Sequence, residues 1–314
     1  MAGVGRDSDG VAAFPGFSSE LVSVGDSAVF ARWAGQGPPV LLLHGFPETH
    51  LMWRDVAPLL TGECTVVCAD LPGYGRSGCP PSTADHARYA KRAMAADLVA
   101  LMDRLGHRRF AVVGHDRGAR VGYRLALDHP DRVSWLAVLD VVPTAEVWQR
   151  ADARLTTGFW PWSLLAQPAP LPERLLTAVP GAVIDDCADA WGSASTAFPP
   201  AVRAAYAAVL ADAEHAHAIC EEYRAAATLD SEHDALDRLA GHRIAAPVLA
   251  LWARSGAVDT WYADAGGPLA LWRGWADQVS GAAVDGGHFF PEERPTETAA
   301  ALRNFHTATT GTKR

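Results

Sequence analysis

The length, composition and charge of the chain already exclude several classes of protein. It has 314 residues, of which 49% are hydrophobic and 20% charged, with a formal net charge of -9 and a pI near 5.7. This composition is typical of a globular enzyme or binding protein and excludes fibrous and disordered chains. The acidic balance argues against nucleic acid as a partner, because phosphate binding requires a basic surface. The length fits one α/β domain that carries an insertion.

No targeting segment or metal-binding pattern stands out. The first residues, MAGVGRDSDGVAAFPG, lack the basic start and apolar stretch of a signal peptide, and no apolar run reaches the roughly 20 residues of a membrane span. The five cysteines are irregularly spaced, as is typical of reduced thiols. His215, His217 and Cys220 have mixed spacing on one presumed helix. We therefore expect a cytoplasmic protein without membrane contact, metal or cofactor.

The first 80 residues predict the start of an α/β sheet. Residues 16–35 alternate apolar and polar side chains, which indicates a β-hairpin. Residues 39–43 are continuously apolar, as expected of a buried parallel strand, and residues 65–69 predict a second buried strand. Each runs into a loop rich in glycine and proline. Sites in such sheets form at the carboxyl ends of strands. Backbone N–H groups near Phe46, in the first loop, are therefore candidates to hold an oxyanion. We interpret the second loop as mainly structural.

The stretch FAVVGHDRGARVG, residues 110–122, predicts a strand, a sharp turn and a helix. Asp116 lies at the apex, and Gly114 and Gly118 on either side leave room for neighbouring elements. In the related elbow G-x-S-x-G the apex residue is a serine. A carboxylate is already an anion at neutral pH and suits displacement at a saturated carbon better than acyl transfer. The alternative is a structural turn in which Asp116 only caps the helix.

The rest of the chain predicts a doubly wound sheet interrupted by helices. From residue 142 to 237 no buried strand is evident and prolines recur, so we expect short helices that cover Asp116. We place the core at 1–142 and 236–314 and a helical cap at 143–235. The strand and helix patterns outside the cap alternate as in a parallel sheet with right-handed crossovers: helices at 88–105, 269–276 and 296–306, and strands at 133–139, 246–252 and 278–284.

Three residues follow the chain order nucleophile, acid, histidine. Asp116 lies on the predicted elbow, Asp140 directly after the next strand, and His288 in a glycine-flanked loop after the last strand. This is the order of the α/β-hydrolases. A histidine in such a loop is more often structural, and only the order favours catalysis. Asp259, after the strand at 246–252, is a second position for the acid, although we prefer Asp140.

From about residue 14 to residue 306 the sequence resembles the haloacetate dehalogenases, a family of α/β-hydrolases that includes the fluoroacetate dehalogenases. The matching stretches are HGFPETH, DLPGYGRS, KRAMA, GHDRGAR, YRLALD, LAVLDVVPT, LAQPAPLPE, CEEYRA and GHFFPEE. The first two are widespread among α/β-hydrolases, whereas GHDRGAR, LAQPAPLPE and CEEYRA together are specific. The resemblance implies the α/β-hydrolase fold, a mostly parallel doubly wound sheet with an inserted helical cap, and a homodimer that uses no cofactor.

The resemblance also implies a two-step reaction on a small anionic 2-haloacid. Asp116 attacks the carbon that bears the halogen, which forms an ester with the protein and releases a halide. His288, oriented by Asp140 as in the family, then activates a water molecule that hydrolyses the ester and releases the 2-hydroxy acid. The backbone N–H groups of Phe46 and Arg117 hold the oxyanion.

The prediction of an anionic substrate rests on Arg117 and Arg120. Because they lie three residues apart at the start of one helix, they share a face near the nucleophile. Two guanidinium groups would offset the repulsion between Asp116 and an anionic substrate and grip its carboxylate in bidentate fashion. The alternative is that one arginine only neutralises Asp116. Haloalkane dehalogenases typically have a halide-binding tryptophan directly after the nucleophile, so Arg117 disfavours neutral haloalkanes.

In the cap, the resemblance assigns the halide donors to Trp162 and Tyr223, whose N–H and O–H groups suit a leaving halide, and a pocket-lining role to Trp191. The sequence departs from the family at Pro161, where fluoroacetate dehalogenases have a histidine as a third donor. Proline has no N–H to donate. Since fluoride depends most on hydrogen bonding, chloroacetate and bromoacetate are the favoured substrates, and turnover of fluoroacetate is left open.

Two other functions remain open from the sequence. An epoxide hydrolase would use the same Asp116 and His288, but it needs two cap tyrosines to protonate the ring oxygen. Tyr206 and Tyr223 are candidates, although that reaction does not call for two arginines beside the nucleophile. A non-catalytic binding protein on the same fold is the other alternative. Its usual sign, a broken triad, is absent.

Overall fold

The structure is a computed structural model that describes residues 13–193 and 196–311. Eight strands form one sheet in the described residues, in the order β1-β2-β4-β3-β5-β6-β7-β8. The hairpin of β1 and β2 is antiparallel, β2 joins β4 in antiparallel fashion, and all other neighbouring strands are parallel. The bounds are β1 Ser18–Val24, β2 Ser27–Ala34, β3 Pro39–Leu43, β4 Thr65–Ala69, β5 Phe110–His115, β6 Val133–Leu139, β7 Val248–Ala253 and β8 Val279–Val284.

The sheet confirms the predicted fold class and most of the predicted strands. β3, β4 and β6 have the predicted bounds, because each is a mostly apolar run that the sheet buries apart from the partly buried Pro39, Thr65 and Ser134. The exchange of β3 and β4 in the strand order puts β3 beside β5. The loop after β3 and the turn after β5 therefore meet at the same edge of the sheet.

Fourteen helices accompany the sheet in the described part of the chain, besides short 3-10 turns. Eight of them, α3–α10, lie between β6 and β7, where the sequence predicts short helices. The bounds are α1 Lys91–Arg104, α2 Asp116–Asp128, α3 Thr144–Gln149, α4 Ala153–Gly158, α5 Pro161–Leu164, α6 Leu171–Ala178, α7 Pro180–Ala190, α8 Pro200–Ala211, α9 Ala213–Ala227, α10 Leu229–Ala240, α11 Ala257–Thr260, α12 Gly267–Arg273, α13 Phe290–Glu293 and α14 Pro295–Gly311.

Several helix boundaries differ from the prediction by a few residues, and two of the differences bear on the cap and on the elbow. α10 continues to Ala240, so the predicted cap boundary at residue 235 falls inside a helix, which ends only where Gly241 adopts a positive φ of 73°. α2 begins at Asp116, three residues before the predicted helical pattern resumes. Prolines open α5, α7 and α8, since the first turn of a helix needs no backbone N–H. The division into core and cap stays a prediction.

Within the described residues, no helix is long and apolar enough to cross a membrane. The five cysteines, all of them in the described ranges, are free thiols. No group of three or more His, Cys, Asp or Glu side chains from residues 13–193 and 196–311 is arranged to hold a metal ion.

Candidate active site

Asp116 lies at the turn between β5 and α2, with a positive φ of 43°. The glycines around it are required by close packing. A Cβ on Gly118 would lie 2.5 Å from two backbone carbonyl oxygens at the end of β3, and a Cβ on Gly45 would lie 2.6 Å from the Cβ of Asp116. The loop after β3 can therefore approach the carboxylate. The backbone N–H of Phe46 donates a hydrogen bond of 3.2 Å to Asp116 Oδ1.

The pKa of Asp116 is lowered from its ordinary value. Burial alone would raise it, but the nearby His288, Arg117 and Arg120 outweigh burial in that order, and His115 adds to their effect. The side chain is 8% exposed. The apex residue is thus a nearly buried anion beside Arg117 and Arg120, the form that a displacement reaction needs.

His288 and Asp140 are joined directly. His288 Nδ1 donates a 2.6 Å hydrogen bond to Asp140 Oδ2, and Asp140 Oδ1 accepts a 2.9 Å bond from the backbone N–H of Ala253. The second ring nitrogen of His288, Nε2, is buried and has no hydrogen-bond partner among the described residues. With Nδ1 as the donor, Nε2 is the unprotonated nitrogen and can accept a proton.

Asp259, the other candidate for the acid, forms its hydrogen bonds with residues that lie close to it in the sequence. Its carboxylate accepts a 2.8 Å bond from Trp252 Nε1 and a 2.9 Å bond from the backbone N–H of Ser255. The carboxylate of Asp259 is therefore bonded to Trp252 and Ser255, whereas His288 is bonded to Asp140. The geometry therefore favours Asp140 as the partner of the histidine.

A buried ion pair beneath the elbow was not predicted from the sequence. His115 Nδ1 lies 2.9 Å from Glu48 Oε2, and its Nε2 lies 2.9 Å from the backbone carbonyl oxygen of His288. Both neighbours are acceptors, so both ring nitrogens donate and the ring is a cation. Burial lowers the pKa of His115, but Glu48 outweighs burial and the pKa is raised to about 9. The motifs HGFPETH and GHDRGAR contain both residues, but nothing in a sequence shows that they are paired.

The two predicted arginines have different partners. Arg120 Nη1 donates to the backbone oxygen of Val142 at 3.0 Å and to Thr144 Oγ1 at 3.3 Å, while its buried Nε has no partner in the described ranges. Arg117 donates from Nε and Nη2 to the carboxylate of Glu222 at 2.5 to 2.8 Å.

This pairing makes the two arginines unequal, while the grip of both on a substrate carboxylate stays a prediction. Glu222 already occupies the edge of Arg117 formed by Nε and Nη2. The corresponding edge of Arg120 makes no hydrogen bond with the residues that the structure describes. A second carboxylate can therefore bind in bidentate fashion to the Nε and Nη2 edge of Arg120, whereas on Arg117 only the end formed by Nη1 and the second N–H of Nη2 is left.

Trp162 and Tyr223 lie against these arginines. The guanidinium carbon of Arg120 is 4.5 Å from the ring of Trp162, and that of Arg117 is 4.0 Å from the ring of Tyr223. Neither the indole N–H of Trp162 nor the hydroxyl of Tyr223 forms a hydrogen bond within residues 13–193 and 196–311. By contrast, Trp191 Nε1 donates to the backbone oxygen of Gly158 at 2.8 Å.

A small cavity of about 20 Å³ adjoins Asp116, close to the size that holds one water molecule. Of the predicted site residues, Asp116, Asp140, Arg120 and Trp162 line it. The other predicted site residues are not among the lining residues: Phe46, Arg117, Pro161, Trp191, Tyr223 and His288. Pro161 is buried at the first position of α5. The wall also contains apolar and aromatic residues that the sequence did not single out: Val141, Val147, Leu155, Phe159, Ala257, Val258, Trp261 and Tyr262.

Trp191 lies on the histidine side of the site. Its ring centre is 5.1 Å from that of His288, and its backbone oxygen accepts a 3.0 Å bond from the N–H of His288. Trp191 follows α7, so the inserted helices contact the loop of His288 directly.

Comparison with known proteins gives consistent matches over most of the chain. The α/β hydrolase fold family matches residues 38–295. The chain is 42% identical over 293 residues to a fluoroacetate dehalogenase from Burkholderia sp, covering 93% of this chain and 94% of that protein. It is similar to a solved structure of a proposed α/β hydrolase from Nostoc sp PCC 7120, with a TM-score of 0.89, 46% identity and coverage of 93% and 98%. A proposed epoxide hydrolase from Pseudomonas aeruginosa matches with a TM-score of 0.88, 40% identity and coverage of 96% and 99%.

Proposed function

The chain belongs to the α/β-hydrolases and, among them, to the family of the fluoroacetate dehalogenases, and on this premise we propose that it hydrolyses 2-haloacids through an ester on Asp116. Haloacetate would be converted to glycolate and halide, with chloroacetate and bromoacetate preferred. The observation that carries the proposal is the free two-donor edge of Arg120 in the cavity wall beside Asp116. That edge suits a substrate carboxylate, and Asp116 suits attack on the carbon next to it.

The first step needs an anionic nucleophile and donors for the departing halide. The lowered pKa of Asp116 keeps its carboxylate charged. As a carboxylate oxygen of Asp116 bonds to the substrate carbon, the bond from that carbon to the halogen breaks and the halide takes the electron pair. The free N–H of Trp162 and the free hydroxyl of Tyr223 are suited to receive it, and the adjacent Arg117 and Arg120 stabilise its charge.

The second step needs a base and an oxyanion site. A water molecule attacks the side-chain carbonyl carbon of the ester, and His288 Nε2 takes its proton while Asp140 stabilises the resulting imidazolium. The backbone N–H of Phe46, already bonded to Asp116 Oδ1, is placed to hold the oxyanion, and the N–H of Arg117 is its proposed partner. Collapse of the intermediate breaks the bond to the substrate oxygen, which takes the proton from His288 and leaves as the hydroxy acid, and Asp116 regains its carboxylate when its remaining proton passes to solvent.

The inserted helices α3–α10 act as a cap in this proposal. They supply Trp162 and Tyr223, and the cavity beside Asp116 has room for about one water molecule. A haloacid is larger, so the helices or their side chains must move for it to enter. A homodimer in the cytoplasm is part of the same proposal and rests on the family alone.

An epoxide hydrolase remains the second candidate, because the Pseudomonas aeruginosa protein carries that name. The expected pair of ring-opening tyrosines is incomplete. Tyr206 Oη donates a 2.9 Å bond to Glu292, and only Tyr223 of the two proposed tyrosines has a free hydroxyl in the described structure. Two arginines beside the nucleophile also have no role in that reaction.

Halide release from fluoro-, chloro- and bromoacetate, measured beside diol formation from styrene oxide, tests the proposal. We expect halide from chloroacetate and bromoacetate, no diol, and complete loss of halide release in the isosteric Asp116→Asn variant. Diol formation without halide release would establish the epoxide hydrolase instead. Full activity of Asp116→Asn would remove Asp116 as the nucleophile.

A further inference from the structure

A chain of buried charges links the inserted helices to the elbow. Glu222, on α9, is fully buried and accepts hydrogen bonds from Nε and Nη2 of Arg117. The ammonium group of Lys91, the first residue of α1, pairs with the same carboxylate. Lys91 also lies 3.2 Å from the carboxylate of Asp230 on α10, and the hydroxyl of Tyr74 is 3.5 Å from Glu222. The carboxylate of Glu222 thus has partners from three parts of the fold.

The partners of Glu222 decide how Arg117 can act. A guanidinium group presents its donors in a fixed planar fork, so a carboxylate on one edge sets the direction of the others. With Nε and Nη2 held, Nη1 is the nitrogen of Arg117 without a partner in the described chain. The group is also held from one face, because the Tyr223 ring centre is 4.0 Å from the guanidinium carbon.

Arg117 directly follows Asp116 and has an opposite charge. If its guanidinium were free to turn, the nearest carboxylate in the site would be the nucleophile itself, and a nucleophile engaged by an arginine attacks more slowly. Burial raises the pKa of Glu222, but Arg117 and Lys91 outweigh burial and lower it. The residue is therefore a carboxylate that can hold Arg117 by charge as well as by geometry.

We propose that Glu222 is a positioning residue that holds the guanidinium of Arg117 away from Asp116 and turns its Nη1 end toward the anionic substrate. The bidentate grip on the substrate carboxylate then belongs to Arg120. This inference rests on the proposed dehalogenation, and it assigns different tasks to two arginines that the sequence treats as equivalent.

The test isolates the first step. In the His288→Ala background the ester cannot be hydrolysed, so one halide is released per active site, and the size of this burst counts the active molecules. We expect Glu222→Gln in that background to lower the rate of the burst with chloroacetate by about 10- to 100-fold while its size stays the same. In the otherwise wild-type chain, Glu222→Gln should lower kcat and raise KM for chloroacetate, because Arg117 then engages Asp116 and loses its contact with the substrate.

Glu221→Gln is the matched control, because Glu221 is the preceding residue of the same helix and pairs with Arg224 and His86 instead. Its burst rate should stay within about twofold of the parent. An unchanged burst rate in Glu222→Gln, or a smaller burst at the normal rate, would show that Glu222 only supports the fold and would overturn the inference.

If Glu222→Gln does not fold, the Glu222→Asp variant tests the positioning role instead. This variant keeps the negative charge but shortens the side chain by one methylene. The burst rate should therefore fall, although by a smaller factor than expected for Glu222→Gln. A normal rate in Glu222→Asp with a misfolded Glu222→Gln would overturn the inference. Absence of halide release from the unaltered chain would count against the dehalogenase function, which separates that failure from a failure of the role of Glu222.

Discussion

His288 donates its Nδ1 proton to Asp140 over 2.6 Å and keeps Nε2 buried without a partner among the described residues. This arrangement fixes the tautomer and gives the ring one free basic nitrogen. The first step of the proposed reaction needs no base, whereas the second step does. Loss of the imidazole should therefore separate the two steps.

We predict that His288→Ala accumulates the ester on Asp116. After mixing with chloroacetate, mass spectrometry of the peptide that contains Asp116 should show an added carboxymethyl group, and turnover should stop after one halide per chain. The double variant with Asp116→Asn is the control and should give an unmodified peptide. An unmodified peptide in His288→Ala itself would contradict the two-step scheme.

The second prediction concerns the unequal arginines. Arg120→Leu removes the free two-donor edge in the cavity wall. Since hydrogen bonds between charged groups contribute about 1.5 to 3 kcal/mol each, kcat/KM for chloroacetate should fall by at least about 100-fold. Arg120→Lys keeps the charge without the planar edge and should recover only part of the loss. Kinetics of Arg120→Leu that match the unaltered chain would mean that the carboxylate binds elsewhere.

The sequence predicted the sheet well because strand patterns are local. Residues 39–43, 65–69 and 133–139 are apolar except for Thr65 and Ser134, and such short apolar runs predict strands that are buried on both faces. The turn at Asp116 was also predictable, because the glycines beside it are a local signal.

Pairings between distant residues could not be predicted in the same way. Glu222 lies 105 positions from Arg117, and Glu48 lies 67 positions from His115. Both acids lie in motifs that the resemblance contains, but a motif does not name the partner of a side chain. The aromatic wall of Phe159, Trp261 and Tyr262 likewise forms only when α4 and the segment after α11 meet.

The third prediction is a pH dependence of stability. In the folded chain the pKa of His115 is raised to about 9, against about 6.5 when unfolded. The raised pKa of His115 therefore contributes about 3 kcal/mol to the free energy of unfolding. This contribution is fully present below pH 6.5 and is lost as the pH rises through about 9.

Urea unfolding of the unaltered chain and of His115→Gln at pH 6 and pH 9.5 measures this contribution. The free energy of unfolding of the unaltered chain should fall more steeply with pH. Glu292, whose pKa burial raises to about 8, changes stability in the same direction, so only the difference between the two proteins reports on His115. His242→Gln, at an exposed position, is the control and should keep the original slope. Equal slopes in His115→Gln and the unaltered chain would mean that the ring is not a cation.

The last prediction concerns Pro161 and the choice of halogen. Pro161 opens α5 directly before Trp162, whose indole N–H has no partner in the described chain. The family resemblance places a third halide donor at this position, and proline cannot supply one. A hydrogen bond to a charged acceptor contributes about 1.5 to 3 kcal/mol, which corresponds to about one to two orders of magnitude in rate. Fluoride depends on such bonds more than chloride or bromide does.

Pro161→His should therefore raise the rate on fluoroacetate by about 10- to 100-fold and change the rates on chloroacetate and bromoacetate much less. The backbone accepts the change. Trp160, the preceding residue, has helical angles of φ -52° and ψ -28°, a conformation that a following proline disfavours and a histidine does not.

Pro200→His, at the first position of α8, is the matched control and should leave the order of substrates unchanged. An equal change on all three substrates would mean that Pro161 only shapes the backbone at Trp162. An unaltered chain that already prefers fluoroacetate would mean that Trp162 and Tyr223 suffice as halide donors.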